Sequence, residues 1–417
     1  MPRRWAIFLI TSCNFFLSQF YRASTAVIAP QLLQDLHLNT EKLGLLSAAF
    51  FYAFALAQIP ISIYLDKIGS KRMICALSVV GVLGALVFAA ADSFRMGMAG
   101  RALLGIGMSC NLMGTLKLLS LWFRPSRFAT LSGLVFSVGT AGNMAATTPL
   151  VAMVQWIGWR QTFAVIGLIN LLIVLVLFLV VHDRPPGAEL ADNFEVETQS
   201  TRQTLNNLKR LLRRRAYWII SLSTFVSYGV FAAFQTLWAG PYLMDVVGLS
   251  PLAAGNMIFL MNLGLILGGP GWGFFSDRVF KTRKWMVFSG LLGLALTTTI
   301  LSQMPADASV LLIAGLFFAF GASRAAGLLM YPHIKELMPL NMAGTAMTGV
   351  NFFTMIGPAL FLQGLGTLMQ TLYPGASRGP AAFQAAFYVC LGCLIVVTLL
   401  YVLTSERKDT EGIGVME

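Results

Sequence analysis

Acidic residues are missing from the middle of every long apolar stretch in this chain, and charge of either sign is scarce. Asp, Glu, Lys and Arg make up 11% of residues, against roughly 25% in ordinary soluble domains. The three histidines, His37, His182 and His333, all fall in predicted loops or at helix ends. The five cysteines, Cys13, Cys75, Cys110, Cys390 and Cys393, sit in apolar segments, which speaks against a disulfide framework. Cys390 and Cys393 form a CxxC with no histidine or second cysteine pair nearby, so they read as core thiols, not metal ligands. No nucleophile, metal or cofactor motif appears at a workable spacing, so the chain reads as neither an enzyme nor a cofactor protein.

What the chain does have is apolar sequence: 57% hydrophobic residues and a mean hydropathy of +0.75. Runs of about 20 apolar residues, enough to cross a bilayer as helix, centre near residues 17, 54, 82, 111, 141, 170, 228, 262, 294, 319, 354 and 392. They predict an all-α protein of the lipid bilayer with twelve transmembrane helices. The net charge of +12 is explained by topology. Bases crowd the segments on the side of the termini, while only Lys42, Arg95, Arg160 and Arg378 occupy those on the other side. This positive-inside asymmetry predicts both termini in the cytoplasm, places the chain in a cell inner membrane and excludes nucleic acid as the partner.

Self-similarity appears at an offset of about 211 residues: Pro30, Leu32, Leu38, Gly44 and Asp66 match Pro241, Leu243, Leu249, Gly255 and Asp277. Pro125, Ser132 and Gly133 correspond, slightly shifted, to Pro339, Thr348 and Gly349. Helix 1 is thus the counterpart of helix 7, and the signal-peptide look of the Met-Pro-Arg-Arg start is set aside. The expected organisation is a six-helix bundle over 1–181, a cytoplasmic linker over 182–215, a second six-helix bundle over 216–404 and a tail over 405–417. The linker ends in a basic stretch with Leu205, Leu208, Leu211 and Leu212 at helical spacing, read as a juxtamembrane anchor.

Two parallel-repeated halves joined by a cytoplasmic loop are the plan of the major facilitator superfamily, which the chain resembles at motif level too. Asp66, Lys67, Gly69, Lys71 and Arg72 fit the signature between helices 2 and 3, with Ser62 in place of its first Gly and Ser70 in place of one base. Gly273, Asp277, Arg278, Lys281 and Arg283 fit the second copy, with Phe280 in place of the second Gly. An Asp at a helix end can pair with bases and with the positive N-terminus of a facing helix. Asp66, Lys67, Gly69, Arg72, Asp277 and Arg278 are therefore expected to gate, not to bind substrate.

Four bases remain at membrane depth: Arg22, Arg101, Lys117 and Arg324. A charge there is costly and normally faces a cavity and a counter-charge; with no acid at hand, an anionic substrate supplies it. Asn14, Ser18, Tyr21, Arg22 and Thr25 share one helical face, predicted to line the cavity, and a guanidinium suits carboxylate or phosphate. The chain here resembles the organic anion, sugar-acid and sugar-phosphate permeases, including the anion:cation symporters. These often carry Asp-Arg in helix 1 and a Glu beyond helix 4's Gly-Arg; Tyr21 and Met108 stand in those places, removing the carboxylates to which the resemblance assigns proton coupling.

The expected function is movement of a small organic anion by alternating access, with a coupled proton or an exchanged anion left open and a monomer expected. Arg22 would hold the anion; Tyr21, Gln19, Gln235 and Tyr228 would orient it; Arg324, Lys117 and Asn351 would complete the site. Arg101 reads as a tie between helices 1 and 4. Export of amphipathic compounds, suggested by Phe15, Phe16, Phe20, Phe231, Phe234 and Trp238, is the rival reading, and a transporter-like ligand sensor is the second.

Overall fold

The computed structural model describes residues 3–183, 210–305, 308–338 and 340–406. Among them there is helix and no strand. The first part holds α1 (Arg3–Ala23), α2 (Thr25–Asp35), α3 (Thr40–Ile68), α4 (Ser70–Ala89), α5 (Phe94–Met108), α6 (Asn111–Trp122), α7 (Pro125–Ala145) and α8 (Thr148–Val180). The second holds α9 (Arg215–Ala233), continued by π-helical turns at Phe234–Trp238 and Tyr242–Val246, and α10 (Pro251–Phe274). After these come α11 (Lys284–Ser302), α12 (Val310–Ala325), a 3-10 turn Ala326–Leu329, α13 (Met330–Leu337), α14 (Leu340–Leu372) and α15 (Pro380–Tyr401). Residues 184–209 of the expected linker lie outside the described residues, as do residues 407–417 of the tail.

Among the described residues, ten helices are long and apolar enough to cross a membrane. The spans expected around residues 17 and 141 are not among them, because α1 carries Arg3, Arg4 and Arg22 beside Asn14, Ser18 and Gln19, and α7 is diluted by Ser, Thr and Gly. Apolar side chains such as Leu168, Leu172, Leu175 and Leu179 on α8 point outward and are exposed, as lipid-facing side chains must be. Polar groups turn inward. Asn14 Nδ2 donates to Ser78 Oγ (2.8 Å) and to Asn111 Oδ1 (3.0 Å), and Ser18 Oγ to the Met108 carbonyl (3.3 Å). Part of the predicted cavity face of helix 1 therefore binds α1 to α4 and α6 instead, the usual use of polar side chains between helices in lipid.

Helix breaks fall between α1 and α2, between α5 and α6, and between α12 and α13. Such irregular backbone survives at membrane depth only where protein or a cavity surrounds it, so the breaks mark the molecule's centre. Gly158, at φ 79°, kinks α8. Just past that kink, Trp159 Nε1 donates to Asp35 Oδ2 (2.9 Å), Arg160 pairs with the same oxygen, and Arg160 Nη2 donates to the Ala91 carbonyl (3.1 Å).

Three hydrogen bonds join the part before residue 183 to the part after 210 among the described residues: Thr40 to Ser377 (2.7 Å), Thr148 Oγ1 to Asn256 Oδ1 (2.7 Å) and Tyr52 OH to Gln363 Oε1 (2.8 Å). They lie at the middle or toward the end away from the termini. Absent side chains bring the backbones together there. A Cβ on Gly240 would overlap the Ala26 carbonyl, one on Gly44 would come within 2.5 Å of the Leu362 carbonyl, and one on Gly255 would meet Thr148. Gly44 and Gly255 are equivalent positions of the 211-residue repeat, and both touch the opposite half.

Gly240→Ala should wedge this end apart by about 1–3 kcal/mol, the usual cost of overpacking. In a background without other cysteines, alkylation of Ser377→Cys should then speed up; an unchanged rate would show that the glycine contact does not hold the closure. The Trp159 indole hydrogen bond, with the Arg160 guanidinium, holds the Asp35 carboxyl below its usual range against the opposing effect of burial. Its stabilisation is present above the unfolded carboxylate value of about 3.9 and disappears as pH falls through the depressed folded value. Asp35→Asn should accordingly flatten the acid limb of the thermal stability profile and leave the protein less stable at neutral pH.

Candidate functional site

Arg22 is the penultimate residue of α1, two residues before the break at Ser24. A helix end frees carbonyls of their intrahelical partners, and here the Tyr21 carbonyl accepts from Ser24 Oγ (3.0 Å) and from Arg101 Nη1 (2.8 Å). Arg101 is 1% exposed and lies against Phe50 and Phe88, 5.1 and 5.9 Å from their ring centroids. It is a tie between α1 and α5, and it fixes the turn that carries Arg22.

The Arg22 guanidinium carbon lies 5.4 Å from the ring centroid of Tyr228 on α9 and 5.6 Å from that of Phe51 on α3. Arg324, the penultimate residue of α12, reaches the same tyrosine at 5.0 Å. One aromatic ring thus holds two guanidinium groups, one from each half of the sequence, by cation–π attraction. Arg324 is 4% exposed. Its Nε and Nη1 and the Nε of Arg22 are buried with no hydrogen-bond partner, and no carboxylate pairs with either side chain among the described residues. Two cations with free donors, converging on one ring in a low-dielectric centre, can do one thing well: bind an anion.

Other expected site residues divide. Gln19 shares Arg22's helical face; the residue is half-buried, and its buried Oε1 accepts from nothing among the described residues. Asn351 Oδ1 accepts from Tyr331 OH (3.1 Å), which also meets Thr354 (2.9 Å); Tyr331 is on α13, the next helix after the turn at Arg324. Three residues turn away. Tyr21 is 0% exposed and packs beside Phe163 on α8, because consecutive residues on a helix point about 100° apart. Gln235 is used up by Asn262 on α10 (2.6 Å). Lys117 Nζ donates to the Leu65 carbonyl at the end of α3 (3.0 Å), close to the termini side.

Phe51 and Gly327 were not legible in the sequence. Phe51 hides in the aromatic run Phe50-Phe51-Tyr52, which reads as lipid-facing or core. Gly327, in the 3-10 turn after Arg324, leaves the space that Arg324 Nη1 occupies; the run of small residues around Arg324 was the only hint.

At the presumed gates, Gly69 adopts φ 91° and abuts the Asp183 carboxylate, which accepts from the Lys71 amide at the start of α4 (2.8 Å). Arg72 is exposed; the side chains of Asp66 and Lys67 lie outside the described residues. In the second copy, Arg283 bridges Asp277 and Glu336 of α13 and also donates to Ser276 (3.0 Å), while Arg278 lies 5.8 Å from the Phe274 ring.

The Major Facilitator Superfamily matches residues 11–361 and, again, 220–415. The chain belongs to this superfamily. It is a multi-pass membrane transporter, not an enzyme. It is similar to the "Probable sulfoacetate transporter SauU" of Cupriavidus necator, 23% identical with 89% of this chain and 91% of that one covered. It is also similar to the "Probable galactarate/D-glucarate transporter GarP" of Escherichia coli, 23% identical over 96% of this chain and 94% of that one. Its fold is that of a bacterial homologue of the human lysosomal transporter Spinster, with a TM-score of 0.80 at 18% identity and 97% of each chain covered.

Gly327→Ala should displace the Arg324 head from Tyr228 without unfolding the protein, since the clash is with the free end of a flexible side chain. Transport should fall severalfold while thermal stability moves by less than about 1 kcal/mol, the ordinary effect of a mild local change. Wild-type transport in this variant would mean that the position of Arg324 is unimportant.

Proposed function

We propose that this transporter carries small organic anions across a cell inner membrane by alternating access, with Arg22 and Arg324 holding the anion. The observation that carries this reading is the pair of unpartnered guanidinium groups on the Tyr228 ring. Gln19, Tyr228 and Asn351 would orient the cargo. Two like charges no more than about 10 Å apart repel by at least roughly 1–2 kcal/mol at an effective dielectric constant near 20, and a bound anion turns that repulsion into attraction. The names of the two relatives, both carriers of organic acids, agree with this chemistry.

The same reading takes the protein as twelve helices, with α1–α2 and a second rod, α7 with the start of α8, supplying the two that composition alone does not mark. It takes them as two bundles, 1–181 and 216–404, in a monomer with cytoplasmic termini. The asymmetry of Lys and Arg supports that orientation, and by it the described conformation is closed on the outer side. Asp66 and Asp277, with Lys67, Gly69, Arg72 and Arg278, serve the inner gates. Because no carboxylate or histidine adjoins the arginines among the described residues, an exchanged anion or facilitated flux accounts for the transport cycle better than a relayed proton does. The aromatic residues that would favour export are mostly spent elsewhere: Phe15, Phe20, Phe231, Phe234 and Trp238 are buried in packing.

Uptake of labelled organic acids into vesicles tests the reading. Arg22→Ala should lower it by about 10- to 100-fold, the value of a charge-assisted contact of 1.5–3 kcal/mol, and Arg22→Lys should recover part of it. Full transport by Arg22→Ala would remove the proposal.

A further inference from the structure

We infer that the Arg22–Arg324 pair selects small dianions over monoanions, so that the cargo carries two negative charges on one compact molecule. This rests on the anion-carrier reading above and sharpens its substrate class. Both guanidinium carbons lie close to one ring centroid, at 5.4 and 5.0 Å, so they can be no farther apart than those two distances together. A single small molecule with an acidic group at each end reaches both.

Charge balance argues the same way. Arg324 is almost completely buried, and two of its three guanidinium nitrogens have no partner. A monoanion on Arg22 would leave that second cation uncompensated at membrane depth, where an unpaired charge costs several kcal/mol. A dianion neutralises both. The charges also come from different halves, α1 and α12, and meet on α9. A cargo that bridges them binds best when the halves are correctly apposed, which gives it the differential affinity for one conformation that alternating access needs. Tyr228 sets the spacing between the two cations, and Gly327 admits the second. Tyr228 and Phe51 surround Arg22 with ring faces, and Arg101, the other buried base nearby, is turned to the Tyr21 carbonyl and to Phe50 and Phe88.

Matched pairs that differ in one charge test this on the purified full chain: D-glucarate against D-glucuronate, sulfoacetate against acetate, and sulfate against nitrate. Thermal stabilisation gives relative affinities by mass action, and counterflow in vesicles gives transport. In the wild type, at least one dianion should bind more tightly than its monoanionic partner by about tenfold or more, the weight of one charge-assisted contact. In Arg324→Gln that preference should collapse to near unity, whereas Arg324→Lys should keep part of it. Equal affinity for both members of the pairs that bind, or a preference that survives Arg324→Gln, would overturn the dianion inference and leave the anion-carrier reading standing. Absence of stabilisation or counterflow with all six probes would count against the anion-carrier reading itself. Misfolding of Arg324→Gln is distinguished by its own melting temperature, and Gly327→Ala, which shifts the Arg324 head without removing it, then provides the second measure of the ratio.

Discussion

Two unneutralised guanidinium groups against one tyrosine ring are the constraint around which this molecule is arranged. Charge in lipid is tolerated only when protein shields it, and two of the helix breaks contribute to that shielding. The α1–α2 break ends the helix just after Arg22, and Arg101 takes up the carbonyl set free at Tyr21. The α12–α13 break does the same on the other side, with a 3-10 turn and Gly327 giving the Arg324 head its place. Arg101 and Arg324 look alike in sequence, each a base among small residues. Their uses differ because Arg101 finds a carbonyl and Arg324 finds only a ring.

The rest of the polar inventory is spent on assembly. The Asn14–Ser78–Asn111 cluster locks α1, α4 and α6 together within one half, and Gln235–Asn262 joins α9 and α10 in the other. Without a hydrophobic drive between helices in lipid, such bonds and close backbone approach at glycine provide the specificity of packing.

Much of this was legible in the chain. Apolar runs, the 211-residue offset and the two Asp motifs gave the superfamily and its plan, because long helices and repeated turns leave periodic marks. Arg22 and Arg324 stood out because a base in lipid needs a reason. What the sequence could not do was tell a cavity-facing polar residue from one that bonds a neighbouring helix. Asn14 and Ser18 lie on the same face as Arg22 by periodicity, yet they are buried between helices. Tyr21, next to Arg22, points elsewhere by the 100° rotation of one residue. Lys117 turned to a carbonyl within reach. Phe51 carried no signal, since an aromatic in an apolar run serves packing as readily as a site.

The contact between the halves is apolar packing with only a few polar bonds. Three neutral hydrogen bonds, each worth about 0.5–1.5 kcal/mol net, and a few glycine contacts hold the end away from the termini, with no ion pair across the halves among the described residues. The hydrogen-bonded part of this contact sums to only a few kcal/mol, the same order as the charge-assisted contacts a ligand could make with two guanidinium groups. A ligand can shift an equilibrium only by its differential affinity for the two states. Charged hydrogen bonds across the halves would add more to what a ligand has to offset than these neutral ones do. The scarcity of acidic residues in the membrane thus has two consequences: it leaves the central cations without a carboxylate, and it keeps ion pairs out of the seam between the halves.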